Sequence, residues 1–181
     1  MKEAETKKEV KEPWVTRMAL ATVVLAVGAT LSTFKGGAYS TQSVVNQGLA
    51  SDQWAFYQSK STKQHLHEVQ IDQFKLQAMS LPAGGPVAEA YARKIADYQA
   101  LIARYAEEKK KIEQDAHGFE AQRDAAKRHG RPFGIAVMFL QVAVLLNSIA
   151  GLMQARRVWY VSIPVGLIGL ACFADGFIGF F

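Results

Sequence analysis

The residues best suited to chemistry lie in one run, Ala50 to His65, which reads ASDQWAFYQSKSTKQH. Trp54, Phe56 and Tyr57 put three aromatics into four positions, and no apolar residue follows from Gln58 to His65. Lysine, glutamine and glutamate can pair and hydrogen-bond inside a helical seam. Lys60, Gln64 and the distant Glu108 therefore suit a polar layer that fixes register and is completed by other subunits. The same run also reads as a solvated stretch of long helix, with Trp54 and Tyr57 stacking on a partner arm. Asp52, Trp54, Phe56, Tyr57, Lys60, Lys63 and Gln64 form the candidate assembly motif.

Catalysis and metal binding find no such footing. No Gly-rich loop ends in Lys-Ser or Lys-Thr, so a phosphate cradle of that type is excluded, and Gly36-Gly37 and Gly84-Gly85 read as a hinge and a turn. His65 and His67 are two apart, about 200° around a helix, and cannot share a metal. His117 and His129 complete no cluster with carboxylates. Cys172, the single cysteine, lies in an apolar window, and the serines of the motif have no positioned base. The expectation is a protein that is not an enzyme, with no cofactor and no metal. The net charge of +5 comes from acids and bases that alternate, which describes a solvated helix surface and not a nucleic-acid groove.

The elements that must carry the motif follow from the distribution of charge. Three windows are charge-free or nearly so: Met18 to Phe34, Pro132 to Ala155, and Val158 to Phe181, the last interrupted by Asp175. A bilayer core about 30 Å thick needs roughly 20 apolar residues in helix, so each window can span it. The expected partition is a polar tail over 1–13 and a membrane helix over 14–34. An extramembrane helical hairpin over 38–131 follows, with arms of about 38–80 and 86–130, then membrane helices over 132–155 and 158–181. No small-residue cleavage site follows the first window, which reads as an uncleaved anchor. Lys7, Lys8, Lys11, Arg17, Arg156 and Arg157 stand on one side, against Lys35, Arg123, Lys127, Arg128 and Arg131 on the other. The excess predicts a cytoplasmic N-terminus and an extracytoplasmic hairpin. Trp14 and the pair Trp159-Tyr160 suit the interface on the N-terminal side.

Leu81-Pro82-Ala83-Gly84-Gly85-Pro86 is a strong break, with Pro86 placed to open the next helix. Beyond it Tyr91, Ile95, Tyr98, Ile102, Tyr105, Lys109, Ile112, Ala116, Phe119, Arg123 and Ala126 alternate spacings of four and three. That is a coiled-coil seam over about five heptads, flawed at Lys109 and Arg123. Folding about Gly84-Gly85 sets Leu49 against Phe119, Phe56 against Ile112, Leu66 against Ile102 and Gln70 against Tyr98. The same register sets Lys60 against Glu108 and Lys63 against Tyr105. The fold class is all-α: three transmembrane helices plus a long antiparallel coiled-coil hairpin.

In the second window Gly134, Gln141 and Ser148 recur every seven residues beside Asn147. In the third, Ser162, Gly166, Gly169, Cys172, Gly176 and Gly179 form a stripe of small residues. Small residues let membrane helices approach, and polar ones hydrogen-bond across the contact. Gln141, Asn147, Ser148, Gly166, Gly169 and Gly176 are thus candidates for packing within and between subunits. A pore lined by Gln141, Asn147 and Ser148 is the alternative.

The motif ASDQWAFYQSKSTKQH, preceded by an apolar helix starting Trp14-Val15, resembles the bacterial membrane proteins grouped as domain-of-unknown-function family 4337. The resemblance covers most of the chain, including the C-terminal apolar pair. It departs from the family pattern at Ser59, where alanine is usual, and at His65. It implies a multi-pass protein of the bacterial inner membrane and carries no established activity. The expected partners are the lipid bilayer and further copies of the chain, with no nucleic acid. The expected role is a homo-oligomeric scaffold. A transport pore lined by the second membrane helix, or an accessory subunit of a larger envelope complex, are the other readings.

Overall fold

The computed structural model describes residues 13–82 and 84–178. Residues 1–12 of the expected polar tail, residue 83 of the turn and Gly179 of the small-residue stripe lie outside the described residues. Three helices make up the described chain: α1 (Pro13–Met79), α2 (Pro86–Leu152) and α3 (Arg156–Ile178). Each contains a stretch long and apolar enough to cross a membrane. No strand occurs among the described residues.

The expected hinge at Gly36-Gly37 is not one, because α1 runs through it unbroken. Two helical glycines cost about 2 kcal/mol relative to alanine. Close approach offsets that cost at Gly36, where an added Cβ would lie 3.3 Å from the Cβ of Phe133. The contact is reciprocated at Gly130, whose added Cβ would lie 3.0 Å from Tyr39. Tyr39 stacks on both Phe133 and His129. Gly36 and Gly130 thus admit Phe133 and Tyr39, while an added Cβ at Gly37 would meet nothing within 4 Å.

Both ends of the hairpin turn are built from local bonds. The Ser80 hydroxyl donates to the Gln77 carbonyl, and the Leu81 amide to that of Ala78. Gly84 takes a φ of 81°, a conformation that glycine adopts without a Cβ clash. Pro86 then opens α2, with Glu89 in its first turn. At the other end α2 closes with the Ala155 amide bonded to the Ala150 carbonyl around Gln154, whose φ is 49°. This left-handed cap satisfies carbonyls that the helix end leaves free.

The chain divides into two compact units, 1–42 with 125–181, and Ser43–Asp124. In the first, Leu25, Ala29, Ala136, Leu140 and Ala143 form the central apolar cluster. A second cluster of Trp14, Met18 and Ala150 gathers Val158 and Trp159 around it, with Arg156 over the Trp14 ring. The tryptophans expected at one interface thus share one end of this unit.

In the hairpin unit every residue of the expected α2 seam within its bounds, Tyr91 to Arg123, is at least partly buried. Lys60 meets Glu108 at 2.6 Å, as the proposed register requires. The face expected of α1 is wrong. Leu49, Phe56, Leu66 and Gln70 are exposed. The covered row instead runs from Ala50 through Tyr57, Lys60, Gln64, His67, Ile71 and Phe74 to Ala78. A constant pairing sum fixes the register of a hairpin but leaves the rotation of each helix open. Apolarity chose the wrong row because aromatic and amphipathic side chains fill this seam. His67 lies 4.7 Å from Tyr98 and 6.0 Å from Tyr105, and Phe74 contacts both Tyr91 and Tyr98. Lys63, expected against Tyr105, is exposed, and Lys60 takes that place with its ammonium 5.2 Å from the ring.

Candidate functional site

The motif divides between two faces of one helix. Trp54, Tyr57, Lys60 and Gln64 turn toward α2, while Asp52, Phe56 and Lys63 are exposed. The split follows from helical spacing. Positions 57, 60 and 64 continue the covered row, whereas 52, 56 and 63 fall on a second row with Val45, Leu49 and Leu66.

On the covered face the indole N–H of Trp54 donates to the Glu120 carboxylate at 3.0 Å. Its ring meets His117 and Tyr57 edge-on. The other Glu120 oxygen lies 2.9 Å from Nδ1 of His117. The Trp54 indole foremost, then His117, holds the Glu120 carboxyl below its ordinary range. Twelve residues nearer the start of α2, Glu108 is bound by Lys60 and also by Arg104 at 2.7 Å. The Lys60 hydrogen bond foremost, then Arg104, lowers the Glu108 pKa. Lys60 also rests over the rings of Phe56 and Tyr105, each 5.2 Å away. Burying an ammonium here is tolerable because a carboxylate and two π-faces replace its water.

Gln64 belongs to the same stretch but bonds Glu68 of its own helix at 2.8 Å, and its buried Oε1 has no partner among the described protein atoms. Lys60 and Glu108 thus pair within one chain, while the Gln64 acceptor beside them is unfilled. The two seam flaws are also occupied. Lys109 lies over the Tyr57 ring and Arg123 donates to Gln47 at 2.8 Å.

On the exposed face, Val45, Leu49, Phe56 and Leu66 make an apolar stripe, with Asp52 and Lys63 in the same row. Nothing in α2 covers it. Phe56 remains 50% exposed even with Lys60 over its ring.

The second candidate set divides in the same way. Asn147 is buried, donates to the Thr22 hydroxyl at 3.0 Å and accepts from the Ser162 hydroxyl. It ties α1, α2 and α3 together. Gln141 and Ser148 point outward, as does Gly134, and the Ser148 hydroxyl bonds back to the Val144 carbonyl. A lining made of Gln141, Asn147 and Ser148 together is therefore contradicted. Adjacent positions lie about 100° apart on a helix, so Asn147 cannot share the outward face.

Gly166, Gly169 and Gly176 turn inward. Added Cβ atoms would lie 3.1 Å from Leu25, 2.8 Å from Leu140 and 2.7 Å from Phe133 respectively. They are seats for large side chains of the same chain. Sequence reasoning missed Thr22, His67, Phe74 and Phe133 as contact residues. For His67 and Phe74 the signal available was the covered row itself, legible at heptad spacing once aromatics and histidine were admitted as seam residues.

The comparison with known proteins adds the family and nothing more specific. No curated protein and no solved structure matches the chain. The model of the family described as Domain of unknown function (DUF4337) matches residues 14–179, and the chain belongs to that family.

Proposed function

We propose that this protein is a homo-oligomeric membrane scaffold whose copies associate through the hairpin and the outward face of α2. The observation that carries the reading is a stripe of the wrong chemistry for its surroundings on the hairpin. Val45, Leu49, Phe56 and Leu66 stand exposed on a helix whose covered face is occupied by aromatic and polar groups. A contiguous apolar stripe rimmed by polar residues marks a contact surface. Asp52 and Lys63, opposite in sign within the same row, fit a partner with the same row.

The three-helix unit supports the reading by the inverse argument. Gln141 is exposed about 15 Å along the helix from Arg131, near the middle of a bilayer core about 30 Å thick. An amide facing lipid is costly, and a second copy offers a matching amide. The compartment we propose is the bacterial inner membrane, with the N-terminus cytoplasmic and the hairpin on the opposite side. The basic residues flanking the windows support that sense.

Coverage of the stripe tests the proposal. With Cys172 replaced by alanine, Ser59→Cys, three residues along the same exposed row, should be shielded from a water-soluble maleimide in membranes and become reactive on dilution in detergent. Equal reactivity in both states would remove the second copy from this face.

A second reading has one observation in its favour: Gly134, Gln141 and Ser148 share the outward face of α2 and would line an axis shared by several copies. Liposome conductance that Gln141→Leu leaves unchanged would count against such a pathway. An accessory role in a larger envelope complex would instead require a different chain over the same stripe.

A further inference from the structure

A groove on the three-helix unit combines charge and apolarity in the order found at a membrane surface. Arg128, Arg131, Pro132 and Ile135 of α2 line it with Cys172 and Asp175 of α3, around a cavity of about 510 Å³. Ligand sites fall in this size range. Arg131 is the last charge before the apolar window and Pro132 its first residue, so the groove begins at headgroup depth and continues as hydrocarbon-compatible wall.

The electrostatics of the unit select the charge of the occupant. At the groove's end of the unit the described residues carry Lys35, Lys127, Arg128 and Arg131 against one carboxylate, Asp175. Two guanidiniums at the groove supply planar forks that match phosphate oxygens. The lining thus offers donors for one phosphodiester beside an apolar wall.

We infer that this groove binds an anionic phospholipid. The phosphate lies on Arg128 and Arg131, and an acyl chain follows Ile135 and Cys172. Phosphatidylcholine has no net charge, so the groove discriminates against it. The inference is independent of how many copies assemble.

Native mass spectrometry of the full chain, released from vesicles of equal phosphatidylglycerol and phosphatidylcholine, tests it. Each basic side chain near an anionic headgroup contributes about 1 kcal/mol. Two give about a 30-fold preference for phosphatidylglycerol, at 1.4 kcal/mol per decade. R128Q/R131Q should abolish the preference, and Ile135→Trp, which fills the wall at unchanged charge, should reduce it. R17Q/R157Q, which removes the same charge elsewhere, should retain it. Equal retention of both lipids by the unsubstituted chain, or equal loss in both double variants, overturns the assignment. So does full thermal stabilisation by millimolar inorganic phosphate alone, because the occupant would then be a free anion.

Discussion

Phe56→Ala separates the two faces of the motif. A fully buried phenylalanine contributes about 1.5–3 kcal/mol by removal from water. Phe56 is 50% exposed within one chain, so about half of that, roughly 1 kcal/mol, remains to be gained in an assembly. Two copies each losing it weaken their contact by about 2 kcal/mol, or about 30-fold in the dissociation constant. Trp54→Ala acts elsewhere. It removes the hydrogen bond to Glu120 and the edge contacts to Tyr57 and His117, all inside one hairpin. It should lower the thermal midpoint of the full-length protein far more than Phe56→Ala does. The assay pairs fluorescence energy transfer between labelled copies, diluted stepwise with lipid, with circular dichroism melting of the same samples. The expected result is a dissociation shift with little change in melting for Phe56→Ala, and a clear loss of melting temperature for Trp54→Ala. Energy transfer in Phe56→Ala vesicles that dilutes like the unsubstituted protein would refute the two-face reasoning. A melting loss equal to that of Trp54→Ala would refute it too.

Three further outcomes follow from the packing and the charges. Gly169→Ala forces a Cβ to within 2.8 Å of Leu140 and should cost about 1–3 kcal/mol in detergent unfolding, whereas Gly134→Ala, with nothing within 4 Å, should cost nothing measurable. Asn147→Leu removes the hydrogen bonds to Thr22 and Ser162 and should cost about 1–2 kcal/mol, while Ser148→Ala leaves stability unchanged. Glu108 and Glu120 are held below their ordinary value of 4.5, so the unfolded chain takes up protons first as pH falls. Their stabilisation is complete above that value and is lost as pH drops through the lowered pKa values. An acid melting series on E108Q should show a shallower loss than the unsubstituted protein, and an identical slope would remove Glu108 from the account.

What could be read in advance depended on which quantities a one-dimensional pattern fixes. Charge-free length marked all three apolar helices, and Pro82 to Pro86 marked the turn, because proline and glycine act locally. The register of the hairpin was legible because two long helices joined by a short turn have one free offset, and Lys60 against Glu108 determines it. The rotation of α1 was not. Leu49, Phe56 and Leu66 are the most apolar residues of their stretch, and a search for a buried row selects them first. The hairpin instead covers Tyr57, His67 and Phe74, whose rings bridge to Tyr91, Tyr98 and Tyr105, and leaves the aliphatic row outside. Gly36-Gly37 was misread for a related reason. A glycine pair has the same sequence whether it bends a helix or admits a neighbour, and only the position of Phe133 distinguishes them. Asn147 beside Ser148 shows the same limit at single-residue resolution, since which of two adjacent polar residues faces inward depends on Thr22 and Ser162, far away in sequence.

The central claim is that one chain leaves an apolar row uncovered on its hairpin because another copy covers it. The most direct test is the native mass of the full-length protein extracted with its own lipid in polymer-bounded discs, without detergent. The account predicts a single species at a fixed multiple of the chain mass, shifting toward one chain in Phe56→Ala. A species of one chain mass across all concentrations in the unsubstituted protein would contradict it.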